Sequence, residues 1–147
     1  MKQVDDLSSG LPPQVEYAHL NAKQKEIYNF QKVAALLADH GFNCIKLADD
    51  WQGADFLAYH FDGDTTLKVQ LKGRANIDKK YLERGLHMAF PAAGDWYVIE
   101  HDALVELCRE HTNWLNTGSW TERGGYSVAS PSAALLTALA PFRLGPA

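Results

Sequence analysis

Apolar residues recur at helical spacing through Ile27, Phe30, Val33, Ala34 and Leu37, which predicts an amphipathic helix from Asn21 to about His40. Asn21 suits the N-cap, and Gln24, three positions on, completes a capping box. Gly41 ends the helix, and Phe42 can fold back on its last turn. The period then changes. Asn43 to Leu47 is a short apolar strand, and Ala48 to Gly53 a polar connection. Asp55 to Phe61 is apolar on both faces, which predicts a central strand covered on two sides. Asp62-Gly63-Asp64 supplies a turn, and Leu67 to Lys72 alternates strictly. That alternation sets Lys68, Gln70 and Lys72 on one face and Leu67, Val69 and Leu71 on the other.

The second half repeats the logic more loosely. Residues 75–84 read as a polar, basic loop. Strands are expected at Leu86 to Phe90 and Trp96 to Glu100, joined by a turn at Pro91 to Asp95. Asp102 is the expected cap of a second helix ending near His111. Ser130, with Pro131 at the first position, is the expected cap of a last helix through Leu139, which Pro141 stops. The fold class that follows is α/β, with a central mixed β-sheet of about four to five strands flanked by helices. The 147 residues suit a single domain. Residues 1–16 are expected to form a loose N-terminal arm, and residues 112–147 a C-terminal extension with a short helix.

Composition narrows the setting. No apolar run approaches a membrane span, and the N-terminal stretch lacks the apolar core of a secretory signal, so the cytoplasm is the expected compartment. Cys44 and Cys108 have no partner motif and are expected reduced and buried. The six histidines are scattered without metal-site spacing. The net charge of −4 argues against indiscriminate nucleic-acid binding. Its distribution matters more. Between Lys68 and Arg84 stand six basic residues against Asp78 and Glu83 alone. Lys68, Arg74, Lys79, Lys80 and Arg84, with Tyr81, are therefore candidates for contact with a nucleic-acid backbone. A solvated basic loop would read the same way. Trp51, at the entry of the hairpin, can stack on a base or pack at the edge of a core.

An acid that opens one strand, and an amide and amine two apart closing the next, form an unusual set. Asp55 followed by Gln70-x-Lys72, after a helix and a strand, resembles the PD-(D/E)xK nuclease superfamily, the restriction endonuclease-like group. The Gln form resembles the Mrr-like endonucleases. The likeness covers roughly Asn21 to Glu100. It implies a metal-dependent nuclease that hydrolyses phosphodiester bonds, in DNA rather than RNA. Asp55, Gln70 and Lys72 would be the catalytic residues. Asp55, the Gln70 side-chain oxygen and the Leu71 carbonyl would hold Mg2+ (or Mn2+), an ion that takes oxygen ligands and keeps several waters. Lys72 would assist the attacking water. Glu26 or Gln31 would be the contribution of the first helix, with Asn29 also near the expected position. Ala54 stands where the motif has Pro, and Gln70 removes one negative charge. The alternative is a catalytically weak or inactive nuclease-fold module that binds nucleic acid or a protein partner, with Asp55 and Lys72 as a structural ion pair. A chain this short has little room for a separate reading domain, so specificity is expected from loops, a homodimer or a partner protein.

Overall fold

The structure is a computed structural model that describes residues 9–145. Of the expected N-terminal arm, residues 1–8 lie outside the described residues, and a single 3₁₀ turn, Tyr17–His19, precedes the first helix. Helix α1 spans Ala22–Ala38. Its start is the predicted capping box: the Asn21 side chain accepts the Gln24 N–H at 2.8 Å, and the Gln24 side chain accepts the Asn21 N–H at 2.9 Å.

Strands β1 (Phe42–Trp51), β2 (Ala54–His60) and β3 (Thr66–Leu71) form an antiparallel meander. β1 is longer than its apolar run. The segment read as a polar connection is counted in the strand to Trp51, but pairing with β2 stops at Lys46 with Phe56 and resumes only at Trp51 with Ala54, so residues 47–50 form a bulge. The connection shrinks to Gln52-Gly53, both with positive φ (54° and 87°), the geometry of a tight hairpin turn. A Cβ on Gly53 would lie 2.8 Å from Leu86 Cδ1, so glycine is needed there for space as well as for φ. The β1–β2 register shifts between Lys46 and Trp51. At this bulge the hairpin tip bends, and Ala54 joins one core while Phe56 and Ala58, on the same strand, join the other.

The basic segment after β3 is not only loop. It contains β4 (Ala75–Asp78) and a 3₁₀ turn, Lys79–Tyr81. β5 (Leu86–Ala92) then runs parallel to β3, and β6 (Asp95–Glu100) returns antiparallel. The central sheet is thus mixed and five-stranded, in the order β1-β2-β3-β5-β6. Helix α2 (His101–His111) follows, then α3 (Gly118–Thr121), β7 (Gly125–Val128) and α4 (Ala133–Leu139). β7 pairs with β4 in a second, two-stranded sheet.

Two cap predictions shift. Asp102 lies in the first turn of α2 and not at its cap. Its carboxylate instead accepts the Glu83 N–H at 2.9 Å and the His101 Nδ1–H at 3.1 Å. α4 is capped by Ser132, whose hydroxyl accepts the Leu135 N–H, two residues beyond Ser130. Ser130 and Ser132 are chemically equal caps; Leu135 and Leu139 decide between them by setting which turn faces the core.

The sheet is covered on both sides, but unequally. α1 lays Val33 and Leu37 on Phe56, Ala58, Val69 and Ala89. The opposite layer packs Leu104, Trp114, Trp120, Leu135 and Leu139 with Met88, Phe90 and Ile99. The C-terminal region thereby contributes Trp114, Trp120, Leu135 and Leu139 to this core. That second layer sits over β5 and β6. It leaves the outer face of the β1–β2 hairpin open, so Ile45 and Tyr59 are exposed and β2 is not covered on two sides as its composition suggested. Among the described residues no helix is long and apolar enough to cross a membrane.

Candidate functional site

The β2–β3 ladder is registered by Leu57 opposite Lys68 and Phe56 opposite Val69, and it ends there. One step further, Asp55 and Gln70 are the next facing residues. Alternation carries the Gln70 side chain to the face turned away from Val69 and α1, but it breaks on β2, where Ala54 and Phe56 join different cores, and the Asp55 carboxyl lies within reach of the charges of Lys46 and Glu26. No backbone partner from β2 reaches the Leu71 N–H. The Asp55 carboxylate takes it instead, with Oδ2 accepting at 2.8 Å. An extended residue turns its N–H and C=O toward the same neighbour, so the Leu71 carbonyl also faces the Asp55 side. On the other edge of β3, the Lys72 N–H donates to the Ala89 carbonyl at 2.8 Å, so the strand end is fixed from both sides.

Asp55 is half-buried. Burial pushes its carboxyl above its ordinary value; the Leu71 N–H and Lys46 oppose this, while the negative charges of Glu26 and Asp50 add to it. The carboxylate therefore sits in a partly desolvated place with one oxygen engaged, and it would gain from a cation. Gln70 makes no side-chain hydrogen bond among the described residues, so its amide oxygen is available. Lys72 does not pair with Asp55. Its ammonium lies over the Tyr81 ring, 5.5 Å from the centroid, and Lys80 approaches the same ring at 5.1 Å.

Of the two helix candidates, Glu26 is the one that shares a pocket with the end of β3. It lines that pocket with Asn29, Leu71, Lys72 and Gly73. Gln31 is exposed and lies roughly 140° around the helix from Glu26 at 3.6 residues per turn. Glu26 is held by Lys46 at 3.1 Å, and that hydrogen bond pulls its carboxyl below the ordinary value. Lys46 and Asp50 are the residues that sequence reasoning missed. The signal for Lys46 was its phase: it follows Phe42 and Cys44 on the helix-facing side of β1. Asp50 is brought near by the bend of the hairpin, for which the sequence carries no clear sign.

The donor set fits a hard divalent cation in part. Asp55, the Gln70 oxygen and the Leu71 carbonyl are all oxygen donors at one strand end, as Mg2+ or Mn2+ requires. Among the described residues no three His, Cys, Asp or Glu side chains gather as a metal cluster. A site here would rest on one carboxylate plus neutral oxygens.

The basic strip divides. Lys68 Nζ donates to Gln52 Oε1 at 3.2 Å and to the Arg84 carbonyl at 3.0 Å. Arg74 donates to the Ser127 carbonyl at 3.1 Å and ties β3's exit to β7. Lys79 lies over Trp120 at 5.5 Å. Tyr81 is buried and packs edge-on against His101. Lys80 and Arg84 are exposed, and Arg84's guanidinium has no protein partner among the described residues. Both cysteines are free, and burial pushes their thiols up to about 11 for Cys44 and about 12 for Cys108. His60 is engaged locally, its Nδ1 accepting the Asp62 N–H at 3.1 Å. Neither any protein-family model nor any curated protein matches this chain.

Proposed function

We propose that the chain is a metal-dependent nuclease of PD-(D/E)xK type that hydrolyses phosphodiester bonds, with DNA as the substrate. The observation that carries this reading is the strand end itself: Asp55 reaches the Leu71 N–H where the ladder stops, opposite Gln70 and beside an unpaired Lys72. The order of an α-helix, a three-stranded meander and a further strand is in keeping with this reading.

Asp55, Gln70 and the Leu71 carbonyl would hold Mg2+ or Mn2+, with Glu26 as a further acid whose charge reaches Asp55. The cation, when bound, supplies charge for the phosphoryl oxygens and lowers the pKa of its water. The chain's own residues do the rest. Asp55 is oriented by the Leu71 amide before any ligand arrives. Lys72, free of carboxylates, keeps its positive charge available to a phosphate and to the attacking water. Tyr81, buried beneath the Lys72 and Lys80 ammonium groups, limits where those charges can stand.

One observation favours a second reading. The Asp55–Leu71 bond gives Asp55 a purely structural task, the capping of an unpaired strand N–H, which a binding module without catalysis would also need. Incubation of plasmid and single-stranded DNA with Mg2+ or Mn2+, beside calorimetry of each ion, tests the choice. Metal-dependent cleavage is expected. Absence of both cleavage and binding heat would sink the nuclease reading and leave the module.

A further inference from the structure

The hairpin tip and the loop before β5 face each other across an open cleft of about 290 Å³, walled by Asp50, Gln52, Lys80, Tyr81 and Arg84, with Leu86 beneath. Its walls are braced. Lys68 joins the two by donating to Gln52 Oε1 and to the Arg84 carbonyl. Gln52 (φ 54°) and Glu83 (φ 59°) both hold positive φ without being glycine, a conformation that persists only where the surroundings enforce it. The Glu83 N–H is fixed in turn by Asp102.

The cleft is charged in an uneven way. Lys80 and Arg84 present positive charge on one wall, and neither forms an ion pair among the described residues. Asp50 stands on the opposite wall and Asp49 beside it. Trp51 does not line the cleft itself; it stands on the hairpin tip between the lining residues Asp50 and Gln52 and is 48% exposed, unusual for a tryptophan in a chain whose Trp114 and Trp120 are buried. The cleft also adjoins the candidate site: Tyr81 is its wall, and Lys72 lies over the same ring as Lys80.

We infer that this cleft receives a single-stranded segment of the nucleic-acid substrate, with Lys80 and Arg84 on its phosphates and Trp51, exposed on the hairpin tip outside the cleft, stacked on an unpaired base where the strand leaves it. The inference rests on the nuclease reading for the direction in which the strand leaves, toward Lys72. A duplex fits poorly. Three of the strip's six basic residues, Lys68, Arg74 and Lys79, are spent on the protein itself, and the acids of the tip would meet a second backbone. A single strand needs few phosphate contacts and an aromatic face, and both are present.

The test is binding of a fluorescein-labelled oligothymidylate, and of a duplex of the same length, to the full chain in EDTA, followed by anisotropy over a range of NaCl. The single strand should bind more tightly than the duplex. Lys80→Ala/Arg84→Ala should weaken it about tenfold or more and reduce the salt slope by ~1.4, about 0.7 for each phosphate that is no longer neutralised. Trp51→Ala should weaken it at least about fivefold, the lower end of a base–aromatic stack. Lys32→Ala/Arg109→Ala, which removes two exposed cations elsewhere, should change little. Equal weakening in that control, tighter binding of the duplex, or no binding of the single strand would overturn the cleft. Metal-dependent cleavage with unaltered affinity in the cleft variants would overturn it too, yet leave the nuclease reading standing. The expected affinities without cleavage and without metal-binding heat would support the cleft and remove the nuclease.

Discussion

The Asp55 carboxylate accepts the Leu71 N–H at 2.8 Å, one residue beyond the last β2–β3 pair, Phe56 with Val69. Asp55 therefore has a structural task whatever else it does, and the two tasks separate by substitution. Asp55→Asn keeps an acceptor oxygen for the N–H and removes the charge. Asp55→Ala leaves a part-buried N–H unsatisfied, which costs about 1–3 kcal/mol. Thermal melts should place the Asn variant near wild type and the Ala variant clearly lower. Calorimetry should show Mn2+ binding abolished in both. Retention of Mn2+ binding by Asp55→Asn would reduce Asp55 to a strand cap.

Gln70 faces the same strand end without a hydrogen bond of its own. Gln70→Glu puts a second negative charge beside a carboxyl that burial already pushes up. In EDTA the repulsion should lower the melting temperature. With Mn2+ the added charge should tighten binding on the order of tenfold, about 1.4 kcal/mol. A variant that melts lower in EDTA and shows no gain in Mn2+ affinity would mean that Gln70 is not a ligand.

Those two residues were legible in the sequence because strand alternation places Gln70 without tertiary information, and because Asp55 opens an apolar run. α1, β5 and β6 were legible for similar reasons, since their periodicity and punctuation agree. What was hidden depended on distant partners. β1 reaches Trp51 across four unpaired residues only because Trp51 pairs with Ala54 at the tip of β2. β4 became a strand only because β7, about fifty residues later, lies beside it. The basic strip read as one surface, yet Lys68, Arg74 and Lys79 are consumed by Gln52, Ser127 and Trp120, partners that no local pattern names.

Lys72 lies over an aromatic ring and not against a carboxylate, so its removal breaks no ion pair among the described residues. Lys72→Ala should cost at most about 1 kcal/mol, the scale of a partly exposed cation–π contact. It should leave Mn2+ binding in place and abolish cleavage. Cleavage at the wild-type rate by Lys72→Ala would remove Lys72 from the reaction and favour the binding-module reading.

His87 offers a test of the fold that is independent of the site. It stands on β5 opposite Val69 and Glu100, and its Nδ1 is buried without a hydrogen-bond partner. Burial lowers its pKa below the ordinary 6.5, and the negative charge of Glu100 only partly opposes this. The folded chain thus binds this proton less readily than the unfolded chain does. Stability from the neutral imidazole is complete above 6.5 and is lost as the pH falls from there through the folded-state value. Thermal melts at about pH 7.5 and about pH 5.5, on either side of the ordinary imidazole value, should show wild type weakening at the lower pH. His87→Leu removes the titrating group and the orphaned nitrogen on a face shared with Leu37, Leu67 and Val98. It should melt no lower than wild type near neutrality and lose part of the acid sensitivity. Parallel pH profiles for the two proteins would mean that the buried imidazole does not couple folding to protonation.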